Sequence, residues 1–231
     1  MSELNILSGG AAHGLVASLA LAFKAKTGFE IKGGFGAVGG MADKLRQGVA
    51  ADIIILTSAL VAKLAEERLV VPSSIKDVGL VETALAVRSA DPKVSAKTSD
   101  ELRAAFLAAD AIFVPDTRTS TAGIHVAKVL AQLGIADEVA LRLKIHPNGA
   151  TAMRELAASS AKHPIGCTQS TEIIATEGVE LSGSLPKGCE LATMYTAGVT
   201  TNAAYAQQAQ ALIELLTSAE ARDARARAGF L

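Results

Sequence analysis

Asp52-Ile-Ile-Ile-Leu56, followed at once by Thr57-Ser58, is the stretch on which the fold turns. Three isoleucines and a leucine with no polar interruption make a strand buried on both faces, since a strand with one wet face would alternate. Thr57-Ser58 then opens a helix through Glu67. A strand that feeds a helix rather than a hairpin points to a mostly parallel sheet built by crossovers.

The same unit stands twice upstream. Leu4 to Leu7 is a short strand, Ser8-Gly9-Gly10 a turn, and Ala12 to Lys26 a helix with Leu15, Val16, Leu19 and Phe23 on one face, ended by Gly28. Phe29 to Phe35 is a second strand. The glycine-rich turn Gly36-Ala-Val-Gly-Gly40 follows, then a helix from Met41 to Gln47 closed by Gly48. The order β-α-β-α-β-α predicts an α/β fold with right-handed crossovers.

Downstream the pattern restarts after about residue 85. Strands are expected at Val81–Val87, Ala111–Val114, Leu141–Ile145 and Ile165–Thr168, with an extended stretch from Glu190 to Val199. Helices are expected at Leu102–Ala109, Thr121–Leu133 and Ala150–Ala161, with a helical turn from Ser170 to Thr176. Two more close the chain, Ala203–Leu216 and Ala219–Ala228. Thr98-Ser-Asp-Glu101 and Thr217-Ser-Ala-Glu220 read as capping boxes.

Composition narrows the function. Half of the 231 residues are hydrophobic but only 3% aromatic, so the core is built from Ala, Val, Leu and Ile. The 22 basic and 23 acidic residues are interspersed, which disfavours nucleic acid as a partner. No run is long and apolar enough for membrane insertion, and the first ten residues lack the basic and apolar regions of an export signal. The chain as written is expected to be cytoplasmic, or periplasmic if a signal peptide has been removed. Cys167 and Cys189 form no CxxC motif; two free thiols are expected, with a disulfide left open. No metal site and no cofactor are expected.

In open α/β sheets, ligands bind beyond the carboxyl ends of strands, near helix N-termini. The small or polar turns there are Ser8-Gly9-Gly10 with His13 behind it, Gly36 to Gly40, Thr57-Ser58, and the loop from Asp116 through Arg118, Thr119, Ser120 and Thr121. Asn148 and Gln169 add two more. Helix N-termini offer N–H groups and positive dipole ends, and glycine permits close approach, so these turns suit an anion. Arg118 could grip a carboxylate through both arms of its guanidinium. Singly, such residues are ordinary caps and turn formers; Asp52 is expected to serve loop backbone groups, and His125 and His146 read as structural. Neither a P-loop nor a dinucleotide fingerprint is present.

With the turns placed, the sequence resembles the molybdate-binding-protein-like family of type II periplasmic (solute-binding) proteins. The resemblance is carried by Ile6-Leu-Ser-Gly-Gly-Ala-Ala12, Phe35-Gly-Ala-Val-Gly-Gly-Met-Ala-Asp-Lys-Leu-Arg-Gln-Gly48, Ala51-Asp-Ile-Ile-Ile-Leu56, Ile165-Gly-Cys-Thr-Gln169, the tail from Ala211 to Ala221, and Gly229-Phe230. It implies two lobes, residues 1–83 with 197–231 and residues 84–196, joined by crossovers near 80–87 and 191–198. The ligand cleft would lie between them, closing by a hinge.

Molybdate binders place serines where this chain has Ala11 and Val38. With two hydroxyl donors gone, an organic di- or tricarboxylate is expected in place of a compact oxyanion. An ABC-transporter permease is the partner such a receptor would have. The resemblance also reaches aconitate isomerase, which shifts a double bond in an unsaturated tricarboxylate. An enzyme of that kind would use His13 as proton carrier and Arg118 against the developing charge. Three readings therefore stand: a carboxylate-binding receptor, a carboxylate isomerase, and a molybdate receptor.

Overall fold

The computed structural model describes residues 2–231. The elements in chain order are β1 (Ser2–Gly9), a 3₁₀ turn at Gly10–Ala12, α1 (His13–Thr27), β2 (Phe29–Gly36), α2 (Val38–Arg46), β3 (Ile53–Thr57) and α3 (Ser58–Glu66). Then come β4 (Lys76–Arg88), α4 (Ser99–Ala108), β5 (Ala111–Pro115), α5 (Thr121–Gln132), α6 (Ala136–Val139), β6 (Leu143–His146), α7 (Gly149–Ala158), β7 (Pro164–Gln169) and α8 (Ser170–Ile174). The chain finishes with β8 (Val179–Ser184), β9 (Ala192–Val199), α9 (Ala206–Thr217) and α10 (Arg222–Arg227). They form two compact units, Met1–Val81 with Thr193–Leu231, and Glu82–Ala192.

In the first unit the strand order is β2-β1-β3-β9. β1 is parallel to β2 and β3, and β9 runs antiparallel to β3. Ile53, Ile54, Ile55 and Leu56 are all fully buried, which is what a run without alternation requires. They join Leu4, Leu15, Phe23 and Leu212 in one core. Asp52 serves backbone groups: its carboxylate accepts from the N–H of Asn5 at 2.8 Å and of Tyr205 at 2.9 Å. Gly28 ends α1 at φ 76°, a left-handed value that favours glycine.

In the second unit β5 lies between β6 and β7, parallel to both, and β4 runs antiparallel to β7 and β8. Side chains alternate across this sheet with period two. Ile112, Val114, Ile165, Cys167 and Leu85 pack against α4 and α5, while Ala111, Phe113, Ala84 and Ala86 pack against α7 and α8. Both cysteines are buried free thiols, and burial pushes that of Cys167 up to about 12.

Several expectations are corrected. α2 begins at Val38 rather than Met41, because Ala37 alone makes the turn in an extended conformation. β8 was not read from the sequence; it is short, and its Gly183 breaks the apolar pattern. Where a strand was expected from Leu141, a 3₁₀ turn holds Ala140–Arg142 and β6 starts at Leu143. The box at Thr98 forms, with Thr98 Oγ1 accepting from the Glu101 N–H. The box at Thr217 does not: its hydroxyl donates to the Ile213 carbonyl, and Ser218 accepts from the Ala221 N–H instead.

Candidate functional site

Each unit gathers its strand-to-helix turns at the carboxyl ends of its parallel strands. In the first unit these follow β1, β2 and β3. Ser8 is fully buried and its hydroxyl donates to the Gly9 carbonyl at 2.9 Å. Gly9 has no room for a side chain: a Cβ would sit 2.8 Å from Val38 Cγ1 and 2.9 Å from Tyr195 Cε1. Gly10 opens the 3₁₀ turn, and Ala11 and Ala12 are buried behind it. Gly36 is less confined, since a Cβ there would meet only the flexible end of Met41, Cε at 2.6 Å. Thr57 is half-buried and Ser58 exposed at the start of α3.

The N-termini of α1, α2 and α3 share one property. None is capped by a side chain, and none carries an acidic residue in its first turn. The capping residues are Ala12, Ala37 and Thr57, and Thr57 makes no capping bond. At α2 and α3 the first N–H groups thus have no side-chain partner, whereas α1 continues the 3₁₀ turn and its His13 N–H donates to the Gly10 carbonyl. His13, at the start of α1, is exposed, its ring edge-on to Phe35 with centroids 4.6 Å apart.

The second unit differs. Asp116 organises the loop after β5: its Oδ1 accepts from the N–H groups of Arg118 and Thr119 and from the Thr119 hydroxyl, at 2.8–2.9 Å. These bonds, the Arg118 N–H foremost, and the nearby Arg118 charge hold the Asp116 carboxyl below its usual range. Arg118 itself is exposed and joins none of the ion pairs among the described residues. Ser120 precedes α5 without capping it by its side chain, and Thr121 begins the helix. Gly123 lets α5 press onto the loop, since a Cβ there would meet the carbonyl oxygens of Pro115 and Asp116 at 2.4 and 2.2 Å.

Asn148 caps α7, accepting from the Thr151 N–H at 2.8 Å. Beside it lies a residue that the sequence reading missed. Glu172, in the first turn of α8, is buried, and its Oε2 accepts from the Thr168 hydroxyl at 2.7 Å. The backbone N–H groups of Ala150, Gln169 and Gly149 also face this carboxylate. Burial raises its pKa, and these donors pull the other way. Gly149 is required by it, for a Cβ would lie 1.9 Å from Glu172 Oε2. Backbone donors at Gly149 and Gln169, which the sequence offered to a ligand, thus face an internal carboxylate. The one signal was an acid three residues beyond Gln169. Gln169 keeps its side chain: it is buried, and neither end of its amide has a hydrogen-bond partner.

A cavity of about 660 Å³ in the second unit lies at the opposite, amino ends of β5 and β7, lined by Val87, Val94, Ala104, Ala108 and Ile165 among others. Its lining is mostly apolar and also includes Asp91, Lys93, Lys162 and His163. Among the described residues no cluster of acids, histidines and cysteines could hold a metal ion, and no helix is long and apolar enough to cross a membrane.

The family model of the bacterial extracellular solute-binding proteins matches residues 4–231. The chain belongs to that family. Its fold is the type II periplasmic-binding-protein fold. The periplasmic molybdate-binding protein of Azotobacter vinelandii superposes with a TM-score of 0.83 at 17% identity, over 99% of this chain and 98% of that one. The sulfate-binding protein SubI of Mycobacterium tuberculosis gives 0.77 at 18% identity, over 100% of this chain and 86% of its own. An aconitate isomerase from a Pseudomonas species is 24% identical over 235 residues, 97% of this chain and 86% of that protein. For a solute-binding protein, turns at the carboxyl ends of parallel strands are where a ligand is met by backbone donors rather than by a dense charge cluster.

Proposed function

We propose that this solute-binding protein takes a small organic di- or tricarboxylate and serves as the receptor of an ABC-transporter permease. One observation carries the choice of ligand. At the first two turns the side chains are apolar and closed against the backbone: Ala11 is 2% exposed and Val38 6%, with Val38 Cγ1 packed over Gly9. Hydroxyl donors for a compact tetrahedral oxyanion are missing there. An oxyanion would keep unpaired oxygens in a dry site, at a cost of about 1–3 kcal/mol each. Carboxylates spread over a carbon frame can instead reach separate donors, and the first unit offers these at the turns after β1, β2 and β3 and at the Thr57 and Ser58 hydroxyls. The second unit by itself offers the Arg118 guanidinium, the Ser120 and Thr121 hydroxyls and the Asn148 turn.

A thermal-shift panel of molybdate, sulfate, phosphate and di- and tricarboxylates tests this. A ligand that binds only the folded state raises the melting temperature by mass action. A shift with one or more carboxylates and none with molybdate supports the reading. A shift with molybdate alone overturns it.

A second reading rests on the aconitate isomerase relative, whose likeness spans nearly the whole chain. In that case His13, exposed at the start of α1, is the proton carrier. Turnover of aconitate that disappears in His13→Gln while binding persists would establish it. Turnover unchanged in that variant would remove His13 from the mechanism.

A further inference from the structure

We infer that the ligand carries a hydroxyl group beside its carboxylates, making it a hydroxy-di- or hydroxy-tricarboxylate. The inference rests on the carboxylate reading above and specifies its substrate class.

It starts from the β4–β7 ladder, where Leu85 faces Cys167 and Thr83 faces Gln169. Directly opposed residues on antiparallel strands project to the same side of the sheet. The apolar pair Leu85 and Cys167 belongs to the core. One pair further toward the carboxyl end of β7, the same face turns polar while staying dry: Thr83 is 1% exposed, Gln169 3%, and Thr171, just beyond, 2%. Gln169 Nε2 and Oε1, Thr83 Oγ1 and Thr171 Oγ1 all lack a hydrogen-bond partner among the described residues. Buried polar groups left this way are costly and rare, and they are expected where a ligand completes them. The neighbouring Glu172 shows the contrast, since the same segment supplies its carboxylate with the Thr168 hydroxyl and backbone donors.

The amide decides the chemistry. Both of its ends are unpaired. Nε2 needs an acceptor and Oε1 needs a donor. An ionised carboxylate, a sulfate or a molybdate only accepts, so it can satisfy Nε2 and must leave Oε1 unpaired. The two threonine hydroxyls do not bond to the amide, so they do not fill the gap from within the protein. A ligand hydroxyl donates and accepts at once, and its adjoining carboxylate takes the amide hydrogens.

Two pairs of acids differ by one hydroxyl: citrate with tricarballylate, and malate with succinate. Isothermal titration calorimetry of the full chain near neutral pH should give the hydroxy acid of at least one pair an affinity about tenfold or more above its deoxy partner. In Gln169→Leu, checked by its unfolding transition, that ratio should fall to about one. Equal or tighter binding of the deoxy acid in both pairs overturns the hydroxyl inference and leaves the carboxylate reading standing. It would mean that water serves Oε1. A ratio unchanged in Gln169→Leu overturns it as well, because the preference would come from elsewhere. Binding of molybdate or sulfate with no carboxylate bound overturns the carboxylate reading itself, and the hydroxyl inference with it.

Discussion

The first unit leaves the starts of α1, α2 and α3 without a capping side chain or a first-turn acid, whereas the second unit answers most of its own. There Thr98 caps α4, Asn148 caps α7, and Glu172 sits against backbone donors of both α7 and β7. Only α5, behind the Arg118 loop, resembles the helices of the first unit in lacking both devices. An uncapped N-terminus gives up about 1 kcal/mol relative to a capped one. α2 and α3, at the carboxyl ends of parallel strands, forgo that stability, as does α9 elsewhere in the same unit. In the second unit the Asp116 and Glu172 carboxyl groups fix loop geometry.

Removing the internal carboxyl group of the second unit breaks this contrast most severely. Glu172→Ala should lower the unfolding free energy by roughly 3 kcal/mol, because the Thr168 hydroxyl and backbone donors lose their acceptor in a buried site. Urea unfolding measures it. A loss below about 1 kcal/mol would mean that the carboxylate does not organise the turn.

The converse change gives the first unit what the second has. Ala37 is extended at φ −61° and ψ 133°, the conformation of a capping residue. Ala37→Asp should raise stability by about 1 kcal/mol and weaken carboxylate binding about tenfold, since the new carboxylate competes for the start of α2. Unaltered affinity would show that α2 does not face the ligand.

The smallest effect is in pH. Burial raises the Glu172 pKa above its ordinary 4.5, so the folded state holds this proton more tightly than the unfolded chain. The associated stability is fully present below the unfolded value and is lost as pH rises through the raised folded one. Asp116 has the opposite sign: its pKa is lowered, and its contribution is lost as pH falls. Denaturation from about pH 5 to about pH 8 should therefore show a decline in wild type that Glu172→Gln lacks. Parallel curves would place the Glu172 titration outside that window.

Much of the fold was legible because its signals are local. The Ile53–Leu56 run, the Gly28 and Gly48 stops and the repeated strand-then-helix order each depend on a few neighbouring residues, and each stands in the structure. β8 escaped because a short strand paired at the edge of β4 needs little apolar pattern. The Thr217 box failed because a threonine at a helix C-terminus also reaches the carbonyl four residues back, which Thr217 does with Ile213.

The sequence by itself determined that this is an α/β chain of solute-binding type, and that small and polar turns follow its parallel strands. Periodicity and glycine placement are properties of the linear chain. Only the tertiary structure decided which donors remain for a ligand. A hydrogen bond is satisfied by whatever lies within about 3 Å of it. Whether Glu172 meets Gly149, twenty-three positions away, or whether Gln169 meets nothing, is set by how β4, β7, α7 and α8 pack.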